Sequence, residues 1–427
     1  MTAPQNINLD DSQAAAVEKA CASRFSIING GAGTGKSTII KYIAERIGKG
    51  VRLCAFAGKA AARIREATGH NASTIHGMLG YNGTGFQTKS LDGDTIIMDE
   101  ASMVPNWLMA SIVRRNPARL VLVGDEAQLP PVGPGQPFHD LIRLVPERVA
   151  TLTTCHRANE AIYQAATAIR AGETPPAHLK SDREEWEMCA ASTPEEAHAR
   201  IMGLVKAGTI DFARDIVLTP CNEGGAASVE TLNADIGTML FPKREFCPLC
   251  ESCSSRPECT QDCIPCAIRK ECGHCKKPGA YTGSFVPGDR AMCLKNLPDL
   301  DIWNGTTGAI EAMDIQGRNG RAIYRTDSPV RTPEGVETDQ VSVPINVLNT
   351  QFARAYTLTV HKSQGSQYRR VYILCLARDA YTMLDRSLIY TAVTRAREYC
   401  CIIGDFRAFK DAIRKTSHRN TAMQELA

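Results

Sequence analysis

The sequence has no long apolar run and almost no excess of one charge. No stretch approaches the roughly 20 apolar residues of a membrane-spanning helix, and no basic segment followed by an apolar one opens the chain. The 49 basic and 46 acidic residues leave a net charge of +3. This balance excludes a strongly basic nucleic-acid protein and limits any DNA contact to a local groove. We therefore expect a cytoplasmic protein without a membrane partner.

Internal repeats are also absent, and a chain of 427 residues is long enough for two or more domains. Apolar runs typical of strands alternate with helical patterns. The strand runs are residues 25–28, 52–56, 95–98 and 120–123, and the helical patterns are residues 12–20, 37–47 and 59–68. This alternation predicts an α/β fold with a parallel sheet and flanking helices. Later runs at residues 216–218, 355–359, 371–375 and 400–403 predict a second α/β domain with a long insertion.

The most informative motif is Gly30-Gly-Ala-Gly-Thr-Gly-Lys-Ser-Thr, which fits the P-loop pattern between an apolar strand and a helix. In such a loop, backbone N–H groups and the start of the helix bind phosphate oxygens. Lys36 is expected to reach the β and γ phosphates of ATP, and Ser37 to ligate Mg²⁺. The predicted nucleotide-binding residues of the loop are Gly31, Gly33, Thr34, Gly35, Lys36, Ser37 and Thr38.

Two further segments supply the other groups that phosphoryl transfer needs. Asp99 and Glu100 end an apolar strand, where Asp99 is expected to hold Mg²⁺ and Glu100 to polarise the attacking water. Gln128 follows the next apolar strand and is a candidate sensor of the γ phosphate. Arg157 and Arg395 are candidates for the positive charge on the γ phosphate, with surface salt bridges as the alternative.

Eight of the 17 cysteines are concentrated in one short segment. They are Cys247, Cys250, Cys253, Cys259, Cys263, Cys266, Cys272 and Cys275. Eight thiols suffice for two four-thiolate Zn²⁺ sites, and His274 is an alternative ligand. An iron–sulfur cluster is the alternative, although the spacing departs from the ferredoxin pattern after Cys253. The pairing of the cysteines stays open.

Taken in order, the motifs resemble those of the superfamily 1B DNA helicases of the RecD-like and Dda-like branch. The resemblance covers nearly the whole chain outside the cysteine segment. Its motifs are the segment around Gln13, residues 30–38, 57–61, 73–80, 99–100, 124–132, 153–157, 217–220, 288–292, 358–365 and 390–397. It implies that Gln13 contacts adenine, that Gly365 belongs to the nucleotide site, and that Arg157 and Arg395 are arginine fingers.

The resemblance also implies a division into domains. Two RecA-like domains are expected at residues 1–150 and at residues 151–242 with 351–427, closing on ATP between them. A β-hairpin insertion is expected at about residues 80–94, the cysteine-rich module at 243–279, and an SH3-like β insertion at 280–350.

The implied activity is ATP-dependent translocation 5′ to 3′ on single-stranded DNA, with unwinding of a duplex at a DNA fork. The implied DNA-binding residues are Lys59, Thr74, His76, Phe86, His361, Lys362 and Ser363. For Thr74 the alternative is a helix cap, and for His76 a buried core histidine.

An alternative function is a DNA-stimulated ATPase that remodels protein–DNA complexes and is recruited through the metal module. Single-strand-binding, replication or recombination proteins are candidate partners in a bacterial or phage setting. The pathway, whether replication, recombination or repair, is not specified by these motifs.

Overall fold

The computed structural model describes residues 9–155, 160–241, 285–300, 302–314, 320–331, 337–376 and 383–416. The chain forms two compact units, which are taken in turn below. The first contains Met1–Ala190 and Ser363–Ala427, and the second contains Ala191–Lys362. None of the helices in the described ranges has both the length and the apolar character of a membrane-crossing segment.

The first unit begins with a parallel sheet of six strands. The strands are β1 (Phe25–Gly30), β2 (Val51–Ala55), β3 (Ala72–Thr74), β4 (Thr95–Asp99), β5 (Arg119–Gly124) and β6 (Val149–Leu152), in the order β3-β2-β4-β5-β1-β6. The helices are α1 (Asp11–Ala22), α2 (Lys36–Ile47), α3 (Gly58–Thr68), α4 (Ile75–Met78), α5 (Asn106–Val113) and α6 (Pro137–Leu144). Because all six strands are parallel, their carboxyl ends lie at one edge of the sheet.

Alternate strand residues enter two cores on opposite faces of this sheet. Ile28, Ile97 and Val121 pack with α1, α2 and α3 on one face. Ile27 and Ile96 pack with α4, α5 and α6 on the other. Helices on both faces explain why the strands are almost continuously apolar, and they hold the carboxyl edge in a rigid frame.

The chain then forms α7 (Ala161–Ala171), β7 (His178–Lys180) and β8 (Glu185–Ala190) before it enters the second unit. The second unit contains α8 (Pro194–Lys206), β9 (Ile216–Thr219), α9 (Val229–Leu240), β10 (Arg290–Cys293), β11 (Thr307–Asp314), β12 (Arg321–Arg331), β13 (Glu337–Pro344), α10 (Ile345–Gln351), β14 (Phe352–Arg354) and β15 (Thr357–Thr359). Strands β10 to β14 form an antiparallel sheet in the order β13-β12-β11-β10-β14. Strands β9 and β15 form a parallel pair.

The chain returns to the first unit with β16 (Tyr368–Cys375), α11 (Arg386–Val393), β17 (Ala396–Gly404) and α12 (Phe406–Arg414). There β16, β17 and β8 are parallel neighbours, and β7 is antiparallel to β8. Trp186 of β8 is fully buried and packs against Phe409 of α12, with 6.5 Å between the ring centroids.

The predicted α/β fold class is confirmed, because the predicted runs correspond to strands β1, β2, β4, β5, β9, β15, β16 and β17. Strands β10 to β13 of the antiparallel sheet fall within the predicted SH3-like insertion at residues 280–350, whereas β14 lies just beyond it. Closure of the sheet into a barrel stays a prediction. In the predicted hairpin, Tyr81 and Phe86 form one antiparallel bridge, and Gln87 N and Thr88 N donate to Gly80 O and Leu79 O. We call this segment the 79–88 turn.

Candidate active site and nucleic-acid interface

The P-loop lies between β1 and α2, at the carboxyl edge of the parallel sheet. Gly33 and Gly35 have φ values of 77° and 81°, which side chains rarely tolerate. The Thr34 hydroxyl donates to Gly31 O at 2.9 Å and closes the turn. The loop therefore leads directly into the amino-terminal end of α2, where phosphate oxygens bind favourably.

Lys36 is the first residue of α2, and its side chain reaches back over the loop. Its Nζ donates to Gly30 O at 2.7 Å and to Gly31 O at 2.9 Å. These carbonyls hold the ammonium group beside the phosphate-binding turn. Lys36 also lines a cavity of about 230 Å³, together with Ser37 and the rest of residues 32–38.

Gln13 connects α1 to this loop. Its Oε1 accepts from Asp10 N at 3.3 Å, while its backbone N donates to Asp10 Oδ1 at 3.0 Å, forming a capping box. Its Nε2 donates to Thr34 O at 3.1 Å, and the residue is buried. Gln13 therefore links the start of α1 to the P-loop, and its contact with adenine stays a prediction.

Asp99 ends β4, Glu100 follows it, and both line the same cavity as Lys36. Glu100 N donates to Asp99 Oδ1 at 2.9 Å. Burial, reinforced by the charge of Glu100, raises the pKa of Asp99 to about 6, while the charges of Arg63 and Lys36 act in the opposite direction.

Glu100 has features typical of a functional site. It is a non-glycine residue with a positive φ of 52°, a sparsely populated conformation that recurs at active sites. Its Oε2 is buried and has no hydrogen-bond partner among the described residues. This oxygen is a free acceptor beside the P-loop, as a base that orients water requires.

The donor set beside the P-loop fits Mg²⁺. Ser37 offers a hydroxyl and Asp99 a carboxylate, and both line the cavity. Hard oxygen ligands of this kind, completed by water and phosphate oxygens, are what Mg²⁺ prefers. When bound there, the ion would neutralise charge that develops on the phosphates during transfer.

Arg395 and Gln128 meet in the same cavity. Arg395 lies in the turn between α11 and β17 and is only 3% exposed. Its Nη2 donates to Gln128 Oε1 at 3.2 Å, and its Nε donates to Thr391 O at 3.0 Å. Burial lowers the pKa of its guanidinium from the ordinary value, and the negative charge of Glu100 opposes that effect.

Two groups at the site were not singled out in the sequence. Arg63 of α3 lines the cavity and makes no hydrogen bond or ion pair within the part of the chain that is described. Tyr390 of α11 donates to Asp125 Oδ2 at 2.8 Å and accepts from Ala32 N at 3.4 Å. Tyr390 is the first residue of the motif at residues 390–397, and Arg63 lies two residues after the motif at residues 57–61. These positions in or near a motif were the only features of the sequence that could have identified the two residues.

Asp125 is fully buried at the centre of a small network. Besides the Tyr390 hydroxyl, it accepts from Ala127 N at 3.1 Å and lies 3.8 Å from Arg170 Nη2. Burial and the neighbouring Asp125 carboxylate raise the pKa of Tyr390 well above its usual value, so the hydroxyl keeps its proton and donates. The network joins the end of β5, α7 and α11 to the P-loop.

Besides Gln13, two of the predicted nucleotide-binding residues do not line the cavity that contains Lys36. Gly31 lines a neighbouring cavity of about 110 Å³ with Tyr390 and Arg170. Gly365 has a φ of 76° and faces the start of α3, where a Cβ would lie 3.5 Å from that of Ala60. Arg157 lies outside the described residues.

The predicted DNA-binding residues fall in several places. Lys59 Nζ donates to Ser366 Oγ at 3.1 Å. Thr74 caps α4 by accepting from Gly77 N at 3.0 Å, as the alternative role for this residue predicted. Its contact with DNA stays a prediction. His361 is half-buried, Lys362 is exposed and Ser363 is buried in one short 3-10 turn.

His76 and Phe86 lie in a cluster of four aromatic rings with Tyr81 and Trp107. The ring centroid of His76 lies 5.5 Å from that of Tyr81 and 5.8 Å from those of Phe86 and Trp107. Burial lowers the pKa of His76 from its ordinary value. The imidazole is therefore neutral at neutral pH, so it contributes to this cluster as a ring rather than as a cation.

All eight clustered cysteines lie outside the described residues. Within the described part, one group of metal-ligating side chains is close enough to share an ion, namely Glu187, Cys189 and Cys401. The Tyr399 hydroxyl already donates to Glu187 Oε1, and the pKa of the Cys401 thiol is strongly raised by its hydrogen bond with Cys189 and by burial. A raised thiol pKa disfavours the thiolate that binds metal.

Two protein families match parts of the chain: an AAA domain over residues 8–188 and a UvrD-like helicase C-terminal domain over residues 354–403. The chain is 32% identical to the ATP-dependent RecD2 DNA helicase of Deinococcus radiodurans, over 98% of this chain and 52% of that protein. It is 28% identical to the RecD subunit of the RecBCD enzyme of Mycolicibacterium smegmatis, over 97% of this chain and 74% of that subunit. The chain thus spans about half the length of RecD2.

Its fold is also similar to a solved structure. The Pif1 helicase from Bacteroides, in complex with ADP-AlF3 and single-stranded DNA, matches with a TM-score of 0.54 and 18% identity. The match covers 95% of this chain and 94% of that one. At this level of identity the likeness concerns the fold.

Proposed function

Because the chain belongs to the RecD-like helicases of superfamily 1B, we propose that it is an ATP-dependent DNA helicase. It moves 5′ to 3′ along single-stranded DNA, powered by hydrolysis of Mg-ATP, and separates the strands of a duplex. The direction of movement is taken from the motifs that resemble this branch. The relatives that support DNA as the substrate are bacterial, so a bacterial or phage cytoplasm is the expected setting.

One observation carries the proposal. A single cavity contains Lys36 of the P-loop, the acids Asp99 and Glu100, and the pair formed by Gln128 and Arg395. Phosphoryl transfer needs a phosphate cradle, a group to orient water and positive charge on the γ phosphate, and these residues supply all three. Separate segments of the chain converge on this one site.

Each side chain then has a defined task. Lys36 binds the β and γ phosphates, and the free Oε2 of Glu100 orients the attacking water. Arg395 stabilises charge on the γ phosphate, and Gln128 senses the phosphate through its hydrogen bond to Arg395. Arg157 is the proposed second arginine finger. Lys59, Thr74, His361, Lys362 and Ser363 are proposed to contact the DNA backbone.

The domain boundaries and the metal module belong to the proposal as well. The RecA-like domains comprise residues 1–150 and residues 151–242 with 351–427, and the second of them is interrupted by the insertions at 243–279 and 280–350. The eight thiols fit two Zn²⁺ ions, with an iron–sulfur cluster as the alternative. Metal analysis with an optical spectrum separates them, because about two zinc ions without visible absorption support zinc, whereas a brown protein supports the cluster.

Unwinding of duplexes that carry a 5′ or a 3′ single-stranded tail tests the function. We expect ATP-dependent strand separation with the 5′ tail only, and on DNA in preference to RNA tracking strands. Unwinding from the 3′ tail alone would refute the direction. DNA-stimulated ATP hydrolysis without strand separation on either substrate would favour the translocase that remodels protein–DNA complexes.

A further inference from the structure

The aromatic cluster of His76, Tyr81, Phe86 and Trp107 presents one ring that the helicase motifs do not explain. Trp107 lies on α5, outside every DNA-binding motif named above. We propose that Trp107 is a stacking platform for an unpaired base of single-stranded DNA. This inference rests on the proposed function and adds a base-contacting residue to it.

Three separate elements bring the cluster together. Phe86 of the 79–88 turn lies parallel to Trp107 of α5, with an angle of 12° and 6.4 Å between centroids. The Trp107 ring meets His76 of α4 edge to face at 5.8 Å, and Tyr81 lies 5.4 Å from Phe86. The rings therefore support one another, and Trp107 is held in position by Phe86 and His76.

Exposure distinguishes the members of the cluster. Trp107 is 53% exposed and Tyr81 is 49% exposed, whereas His76 and Phe86 are half-buried. The guanidinium of Arg115 lies 5.4 Å from the centroid of the Phe86 ring. Phe86 thus has protein neighbours that hold it in place, and the larger exposed ring surface belongs to Trp107.

The backbone around the exposed rings is held in a defined shape. Asn82 Oδ1 accepts from Thr84 N at 3.1 Å and from Gly85 N at 2.9 Å, and the Tyr81 hydroxyl donates to Gly83 O at 2.9 Å. Arg115 donates from Nε to Thr88 O and from Nη1 to Ser111 O, which fastens the turn to α5. A rigid support lowers the entropy cost of stacking a ligand on Trp107.

The charge of this surface, together with its exposed rings, favours a nucleic acid over an uncharged apolar segment. Residues 75–90 and 106–116 contain Lys89, Arg114 and Arg115 and no aspartate or glutamate. Of these basic residues, Arg115 contacts the aromatic cluster through Phe86. Asn116 donates to Asp92 Oδ1 beyond the carboxyl end of α5, where Arg114 and Arg115 also lie. Exposed aromatic rings beside basic groups are the combination that binds single strands. Each nucleotide offers a base whose face can stack on a ring and a phosphate whose charge a basic group can neutralise.

Tryptophan fluorescence tests the inference directly, because the chain has only three tryptophans. Trp186 is fully buried, so its emission is insensitive to a ligand at the surface. We expect an oligothymidylate to quench the fluorescence of the wild-type protein, and Trp107→Phe to abolish most of that quenching. Trp303→Phe, which keeps Trp107, should retain it. Binding is followed independently by the anisotropy of a labelled oligonucleotide.

A second pair of variants measures the contribution to binding. Trp107→Ala should weaken single-strand binding about tenfold, as loss of one aromatic stack does, whereas Trp107→Phe should recover most of the affinity. Val113→Ala is the matched control, because Val113 is also an exposed apolar residue of α5 but lies six residues, more than one and a half helical turns, from Trp107. It should bind as the wild type does.

The outcomes separate this inference from the proposed function. Normal binding by Trp107→Ala, or full quenching in Trp107→Phe, overturns the stacking role and leaves the helicase proposal intact. Failure of the wild type to bind single-stranded DNA overturns both. A partner protein that binds wild type but not Trp107→Ala, while DNA binding is unchanged, also overturns it and assigns the surface to that partner.

Discussion

Arg395 and Gln128 are 267 residues apart in the chain and are joined by a hydrogen bond of 3.2 Å between two buried side chains. The guanidinium is also fixed by Thr391 O and by the Thr394 hydroxyl at 3.1 Å. Arg395 is therefore oriented before nucleotide arrives, and Gln128 is coupled to any movement of it. A charged donor that is prearranged in a buried site is effective because it needs little reorganisation during the reaction.

A double-mutant cycle tests this coupling. Gln128→Ala and Arg395→Lys should each reduce the kcat of DNA-stimulated ATP hydrolysis, and the double variant should lose less than the two losses combined. Because the bond involves a charged group, we expect a coupling of about 1–3 kcal/mol. Steady-state ATPase rates at saturating ATP and DNA measure it. Strict additivity would mean that the two residues act independently.

Glu100 provides the test of the hydrolytic step. Glu100→Gln keeps the shape of the side chain but removes the base, so kcat should fall roughly 100-fold or more while ATP binding persists. ATP affinity is measured with a fluorescent analogue, and hydrolysis by phosphate release. Lys36→Ala is the complementary variant, because it should lose binding as well. Near-normal turnover in Glu100→Gln would require another base.

Local motifs of this protein could be predicted from the sequence, but their long-range partners could not. The P-loop, the acids after β4 and the alternation of strands and helices follow from residues that are close in the chain. The bond between Tyr390 and Asp125 and the position of Arg63 depend on how distant segments pack. The hydrogen bond between Arg395 and Gln128 also depends on packing, because the sequence offered Arg395 as a candidate for the γ phosphate with a surface salt bridge as the alternative.

The hydrogen-bond partners of buried polar side chains could not be predicted from the sequence either. Asn233 of α9 donates to Arg354 O and Thr357 O, both at 3.0 Å, and its Oδ1 accepts from Tyr356 N and Thr357 N, both at 2.9 Å. This one amide satisfies four backbone groups next to β15. In the sequence it is an ordinary asparagine in a helical pattern, because its role depends on backbone groups more than 120 residues away.

Tyr390→Phe tests the network that joins α11 to the P-loop. The change removes the donor to the fully buried Asp125, which should cost about 1–3 kcal/mol in the free energy of unfolding. Because the hydroxyl also accepts from Ala32 N, we expect the KM for ATP to rise about three- to tenfold. Denaturant unfolding and ATPase kinetics measure the two effects. Tyr42→Phe is the control for Tyr390→Phe, because it also removes a tyrosine hydroxyl, here from the helix that follows the P-loop.

Arg63 leads to a prediction about how the site responds to nucleotide. It lines the cavity without an ion-pair or hydrogen-bond partner among the described residues. Burial raises the pKa of Asp99 and lowers that of Arg395, and the charge of Arg63 opposes the first shift and adds to the second. Two arginines in one cavity with Lys36 supply positive charge that the phosphates of ATP would neutralise. We therefore expect Arg63 to contact the phosphates of ATP.

Arg63→Ala should raise the KM for ATP about tenfold or more, because a hydrogen bond to a charged group is lost. Arg63→Lys should restore part of the affinity, since it keeps the charge but not the planar donors. Arg65→Ala on the same helix is the control, because Arg65 donates to Ala72 O instead. If ADP and ATP affinities both stay unchanged in Arg63→Ala, the side chain does not contact the nucleotide. If only ATP binding weakens, the contact is to the γ phosphate.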